Sequence, residues 1–235
     1  MKKYDEMQKL IKYLKIALGT QDRDSNAPRI LNGDILKLVT LLVTDRVLHP
    51  GEYGSDYKNV PGCPEILERN QPLLKVFRDF FQEVYWDCLS MNQKQINLHL
   101  DKFNSRELLH VPGMVHQALL TMPVSAKITR RKYQGSYYTP IHIVRYMVDN
   151  ALHQFAGPNN IEGLKIIDPA CGGGSFLLEA WYALKVIGLP ATKAASCIFG
   201  IDIDDIAVKL SIYVMTVAVW AESGRQLDVE VIKKD

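Results

Sequence analysis

What this sequence lacks narrows the field before any motif is considered. Its four cysteines, Cys63, Cys88, Cys171 and Cys197, include no Cys-x-x-Cys pair. That removes the spacing of a zinc site or a thiol–disulfide exchange centre, so no metal is expected and the thiols read as reduced. No run approaches the ~18 consecutive apolar residues of a bilayer-crossing helix. The opening Met1-Lys2-Lys3-Tyr4-Asp5 lacks the apolar core and small-residue cleavage site of a secretory signal. The expectation is a cytoplasmic protein with no membrane partner. An excess of one charge is missing too: 28 Lys and Arg stand against 26 Asp and Glu, a formal net charge of +2. Total charge therefore names no partner, because a nucleic-acid binder shows itself by clustering. The one basic cluster, Arg130-Arg131-Lys132, reads more readily as a solvated turn than as a phosphate contact. Repeats and low-complexity stretches are also absent, which excludes solenoids and linker-like segments.

What remains is the composition of a folded protein, with 47% hydrophobic and 23% charged residues. A chain of 235 residues can bury a sizeable core in one or two domains, and the change of texture along it argues for two. Met7, Leu10, Ile11, Leu14 and Leu18 recur at helical spacing, predicting a helix from Tyr4 that ends at Gly19. A second is predicted from near Asp34 to the His49-Pro50-Gly51 break. Gly51 to Pro64 reads as a loop, and Ile66 to Leu89 as one helix whose Phe77, Phe80 and Phe81 are core residues rather than base-stacking ones. Two weaker helical patterns follow, split at Val111-Pro112-Gly113, and the polar run from Pro123 to Lys132 reads as a boundary. The first domain is thus α-helical over residues 1–128, and the second spans 129–235.

From Gly135 onward the pattern alternates. Ile141 to Phe155 reads as helix, Leu164 to Ile167 as a short strand, Phe176 to Ile187 as helix, Cys197 to Asp202 as a buried strand, and Asp205 to Trp220 as helix. Alternation of this kind is the signature of an α/β domain with a parallel sheet. Between its first strand and the next helix stands Asp168-Pro169-Ala170-Cys171-Gly172-Gly173-Gly174-Ser175. Glycines there let the backbone turn sharply and approach a ligand, while the following helix offers N–H groups at its start. Asp168 at the strand end can pair with a cationic ammonium, which a phosphate-cradling loop would not want nearby. A dinucleotide fingerprint started at Gly172 would need glycine where Leu177 stands. Gly200-Ile201-Asp202-Ile203-Asp204 ends the next strand; Asp202 can accept hydrogen bonds from ribose hydroxyls, and Ile203 can lie against an adenine face. Asp204 and Asp205 read as helix N-terminal residues. In Tyr137-Tyr138-Thr139-Pro140, Thr139 reads as an N-cap with Pro140 at the first helical position, or as part of the ligand site.

Together the three segments resemble the adenine-N6 DNA methyltransferases of restriction-modification systems, of type I or type IIG. Tyr-Tyr-Thr-Pro precedes the first strand, Asp-Pro-Ala-Cys-Gly forms the cofactor loop, and Gly-Ile-Asp-Ile-Asp is the ribose motif, over roughly Lys132 to Asp235. The resemblance implies a partial Rossmann-like domain that binds S-adenosylmethionine and methylates the exocyclic N6 of a flipped adenine in double-stranded DNA. It places Tyr138, Thr139 and Pro140 at the methionine end of the cofactor. Asp168, Pro169, Ala170, Cys171, Gly172 and Gly174 fall around its amino-acid part, and Asp202 and Ile203 at its ribose and adenine. Asp235 would bind the adenine amino group. Other restriction-modification subunits are implied partners.

The family's Asn-Pro-Pro-Tyr or Asp-Pro-Pro-Tyr tetrapeptide is absent from these 235 residues. The amino nitrogen of adenine has its lone pair delocalised into the ring, so it needs acceptors for its protons and an aromatic platform to become a nucleophile. The expectation is therefore the front part of a methyltransferase, with no catalytic residue of its own. Two alternatives stay open: a non-catalytic module that binds S-adenosylmethionine or DNA beside a separate subunit, and a fragment of a small-molecule methyltransferase. The first predicted outcome is that the purified chain leaves duplex DNA unmethylated in a tritiated-methyl transfer assay; measurable incorporation contradicts it.

Overall fold

The computed structural model describes residues 2–19, 32–53, 61–74, 93, 95–120, 123–125, 128–129, 139–155, 163–225 and 230–233. The chain forms two compact units, residues 1–119 and 120–235.

Among its described residues the first unit is helical. It comprises α1 (Lys2–Gly19), α2 (Asn32–Leu48), α3 (Cys63–Arg69), α4 (Gln71–Leu74), a helical stretch at 95–100, α5 (Ser105–Leu108) and α6 (Val111–Leu120). Residues on every side of α2 are buried, Ile35, Leu36, Leu38, Val39, Leu41, Leu42 and Val43 among them, so it is the core helix of the unit. Its two buried threonines satisfy their hydroxyls locally, Thr40 on Leu36 O at 2.6 Å and Thr44 on Thr40 O at 2.8 Å. The fully buried Asp45 accepts hydrogen bonds from Arg69 Nε at 2.6 Å and Asn70 Nδ2 at 2.7 Å, and from the Tyr53 hydroxyl. Next to it, Arg46 donates through Nε to Asn97 Oδ1 at 2.9 Å. A buried charge survives only when paired and hydrogen-bonded, and here the pairing also ties α2 to α3 and to the 95–100 stretch.

Three sequence expectations fail in this unit for local reasons. The helix expected from Ile66 to Leu89 is broken at Asn70, between α3 and α4. In a continued helix Pro72 would have no N–H to give to Glu68 O and its ring would crowd that carbonyl, while Asn70 turns its side chain back to Ile66 O at 2.8 Å. Conversely, Val111-Pro112-Gly113 opens α6 instead of splitting a helix, because a proline in the first turn gives up an N–H that has no intrahelical partner. The expected loop to Pro64 also ends early, with Cys63 and Pro64 inside α3. The rest of the 66–89 stretch lies outside the described residues.

The second unit begins with an antiparallel pair, β1 (Pro123–Ser125) and β2 (Ile128–Thr129), where the sequence reads only as a polar boundary. Then come α7 (Ile141–Phe155), β3 (Ile166–Asp168), α8 (Ser175–Val186), a short α9 (Ala191–Ala195), β4 (Ile198–Asp202), α10 (Asp205–Ser223) and β5 (Glu230–Lys233). The three later strands form one sheet in the order β3-β4-β5, both pairings parallel, with Asp168 opposite Gly200 and Asp202 opposite Lys233. The unit is therefore α/β with a small parallel sheet. By length and composition α10 could cross a membrane, yet Val208, Leu210, Tyr213, Val214, Met215 and Val217 are buried inside the unit, which accounts for its apolarity as core.

Parallel register puts Ile167, Phe199, Ile201 and Ile232 on one face of the sheet and Ile198 and Gly200 on the other. The second face is packed: a Cβ on Gly200 would stand 2.8 Å from Leu177 Cδ1 of α8 and 3.0 Å from Cys171 Sγ. Only a glycine lets α8 and the turn before it lie this close to β4. On the first face, Ile167 is 60% exposed and Ile232 57% exposed. Gly200→Ala is predicted to cost about 1–3 kcal/mol by overpacking and to lower the melting temperature by about 2–10 °C. An unchanged melting temperature by circular dichroism contradicts this packing.

Candidate functional site

The carboxyl ends of β3 and β4 stand side by side in the sheet, and each delivers an aspartate. Asp168 closes β3, and its Oδ1 accepts the Ala170 N–H at 3.0 Å, a local turn that Asp side chains favour. Pro169 and Ala170 are exposed at the tip. The chain then returns to the sheet, where Cys171 N donates to Ile201 O at 2.9 Å and Gly174 N donates to Cys171 O at 2.9 Å. Gly172 (φ 52°) and Gly174 (φ 84°) adopt left-handed backbone, which L side chains resist. At Gly174 the requirement is double, since a Cβ would also lie 3.1 Å from Ser211 Cα on α10.

Asp202 closes β4 and fastens the two strand ends together. Its Oδ2 accepts the Gly172 N–H at 2.8 Å, and its Oδ1 accepts the Asp204 N–H at 2.8 Å. The glycine turn and this acid, read from the sequence as separate motifs, thus meet at one place. A carboxylate has about four acceptor positions, so two such bonds leave capacity for hydroxyl donors. Ile203, next along the chain, is 56% exposed. Asp204 is the N-cap of α10, its side chain accepting from Ile206 N at 2.9 Å.

Electrostatically the site carries an uncompensated acid. Asp168 Oδ2 is buried with no hydrogen-bond partner among the described residues. Burial pushes the Asp168 carboxyl above the usual carboxylate range, the negative charge of Asp202 adds to this, and the Ala170 N–H works against it. Burial likewise pushes the Cys171 thiol up to about 12, so it stays protonated and serves packing, not nucleophilic chemistry. The turn leads into α8, whose N-cap Gly174 provides no side-chain cap, so the first N–H groups of that helix are left to other acceptors.

Thr139 and Pro140 are half-buried at the start of α7. Pro140 O accepts from Val144 N at 3.1 Å, so Pro140, not Thr139, holds the cap position: its carbonyl is the first to enter the helical ladder. Tyr138 and Asp235, also expected at the site, lie outside the described residues. α7 is tied to α8 by Arg145 Nε, which donates to the buried Glu179 Oε2 at 3.1 Å. Sequence reasoning missed this pair and also Ser211, whose hydroxyl donates to Gly172 O at 2.6 Å. Their signal was present: a glutamate and a serine inside otherwise apolar helices.

A glycine turn and an acid at adjacent strand ends of a parallel sheet belong to the α/β class, whose open members bind ligands at the strand ends. Comparison with known proteins narrows the class. Residues 113–220 match the model of the N-6 DNA Methylase family. The chain is 37% identical over 75 residues to the adenine-specific methyltransferase BrxX of Escherichia coli O9:H4 (strain HS), covering 28% of this chain and 6% of that protein. It is 30% identical over 109 residues to the adenine-specific methyltransferase PglX of Streptomyces coelicolor (strain ATCC BAA-471 / A3(2) / M145), covering 42% of this chain and 9% of that one. The aligned part is thus a small share of either relative.

The raised Asp168 carboxyl sets a pH dependence. In such a group the proton binds more tightly to the folded chain, so its stabilising contribution is full below the ordinary carboxylate value and is lost as pH rises through the raised one. Asp168→Asn keeps an oxygen for Ala170 N–H and removes the buried charge. It is predicted to raise the melting temperature at neutral pH by about 2–4 °C, with the gain vanishing below the ordinary carboxylate range. Destabilisation at neutral pH contradicts the assignment.

Proposed function

We propose that this chain binds S-adenosylmethionine at the turn of residues 168–174 and serves methyl transfer to the N6 of adenine in double-stranded DNA. In this reading the second unit is a Rossmann-like methyltransferase domain. The observation that carries it is the hydrogen bond from Gly172 N to Asp202 Oδ2, which makes one site of two motifs.

The donor and acceptor set suits such a ligand. The buried Asp168 Oδ2, without a hydrogen-bond partner among the described residues, matches a cationic ammonium, which would relieve the cost of keeping that carboxylate ionised. The N-terminus of α8, without a side-chain cap, matches the carboxylate of the same amino-acid group. Asp202 has acceptor capacity for ribose hydroxyls, and the exposed Ile203 offers an apolar surface to adenine. Thr139, Pro140 and Tyr138 would border the methionine end, and Asp235 the adenine amino group. When bound, the cofactor supplies an electrophilic methyl on a sulfonium. The chain's own part is to bind and orient: Asp168 holds positive charge, Asp202 fixes the sugar, and the glycine turn admits the ligand close to the backbone.

No Asn-Pro-Pro-Tyr or Asp-Pro-Pro-Tyr occurs in the sequence, so the groups that would accept protons from the adenine amino nitrogen are to come from elsewhere, and the chain alone is inactive in this account. A second reading, a non-catalytic module working beside another restriction-modification subunit, is favoured by the exposed Ile167 and Ile232. Parallel sheets are ordinarily covered on both faces, and a partner polypeptide would complete the covering. Both readings describe a protein of the cytoplasm.

Isothermal titration with S-adenosylmethionine tests the proposal. The expected result is one site per chain, with NADH at least about tenfold weaker, a difference of about 1.4 kcal/mol, and with binding lost in Asp202→Ala. Absence of binding, or preference for NADH, overturns it.

A further inference from the structure

We infer that Ser211, on α10, is a positioning residue for the cofactor turn, and that it acts by setting the direction of the Gly173 N–H. The inference rests on the proposed cofactor site and adds to it a residue from outside the motifs.

Ser211 is fully buried and meets the turn at three residues. Its Oγ donates to Gly172 O at 2.6 Å. With its proton committed there, the hydroxyl oxygen is the acceptor for the Cys171 thiol, whose Sγ lies 3.7 Å away. Its Cα and Cβ lie under Gly174, within 3.1 and 3.3 Å of where a Cβ would stand. A hydroxyl in the middle of Val208, Leu210, Tyr213 and Val214 is costly to bury without a partner, and the partner it has found lies on the turn, not on its own helix. Thr216 and Ser223 of the same helix bond instead to Ile212 O at 2.7 Å and Val219 O at 2.7 Å.

The consequence follows from peptide geometry. In a trans peptide the carbonyl and the next residue's N–H point in opposite directions, and the described chain contains no cis bond. Holding Gly172 O down on α10 therefore aims the Gly173 N–H away from α10 and out of the packed interior. Gly172 could otherwise rotate, since glycine is free on both sides of φ. Asp202 holds the N–H side of Gly172 and Ser211 the carbonyl side, so the residue is gripped at both ends. A donor fixed in this way is suited to a ligand carboxylate, the anionic end of the amino-acid group.

The test compares two ligands that share adenosine and sulfur and differ in the amino-acid end: S-adenosylhomocysteine and methylthioadenosine. In Ser211→Ala, affinity for S-adenosylhomocysteine is expected to fall about tenfold while affinity for methylthioadenosine changes less than about twofold. Thr216→Ala removes a buried hydroxyl from the same helix without touching the turn; it should lower the melting temperature and leave the affinity ratio unchanged. Should Ser211→Ala not fold, Ser211→Cys retains bulk with a weak donor and is expected to shift the ratio in the same direction. Parallel loss for both ligands, or no loss for either, overturns the role given to Ser211 while the site stands. Failure of the unaltered chain to bind either ligand removes the site, and this inference with it.

Discussion

The hydrogen bond between Gly172 N and Asp202 Oδ2, 2.8 Å long, is the constraint on which the rest of the second unit depends. It joins the loop after one strand to the end of the next, and it needs β3 and β4 as parallel neighbours in one register. That register sets Asp168, the last residue of β3, opposite Gly200, so that β4 runs past it to Asp202 and meets the returning turn. Gly200 in turn must be glycine, because Leu177 and Cys171 occupy the space its side chain would need. Packing against β4 and the geometry of the crevice are thus one requirement met by the same few residues. The N-cap of α10 is drawn in as well, since the second oxygen of Asp202 receives the Asp204 N–H.

Around this joint the unit tolerates a local cost. Asp168 keeps a buried oxygen without a partner among the described residues, an arrangement that destabilises the ionised chain in the absence of a cation. Sites are where such costs concentrate, because the ligand relieves them on binding. The rest of the unit offsets it with conventional burial. Trp181, Leu177 and Leu184 of α8 and Tyr213, Met215 and Val219 of α10 are almost wholly enclosed, and Glu179 is paired with Arg145 across to α7. The first unit manages its own buried charge differently: Asp45 accepts hydrogen bonds from Arg69, Asn70 and Tyr53.

Much of the second unit was legible in the sequence because its signals are local. An Asp followed by a run of glycines between a strand and a helix, and Gly-Ile-Asp at the next strand end, each declare a turn and an acid at defined places, and parallel pairing does the rest. The helices of residues 141–155, 175–186 and 205–223 follow from apolar runs with clear stops. What the sequence did not reveal depends on contacts distant along the chain. Ser211 and Glu179 take their roles only from Gly172 and Arg145, each more than thirty residues away along the chain. Pro112 and Pro72 show the limit of local punctuation. The same residue type opens one helix and breaks another, according to whether the preceding residues have already begun a helical ladder. The β1–β2 pair was hidden because strands this short carry no periodicity to detect.

Backbone amide chemical shifts during a titration with S-adenosylhomocysteine test the central claim most directly. If the turn and the acid share one pocket, the amides of Ala170, Gly172, Gly173 and Asp204 shift together and saturate at a common ligand concentration. Shifts confined to one of the two segments, or gathered elsewhere on the chain, contradict the account.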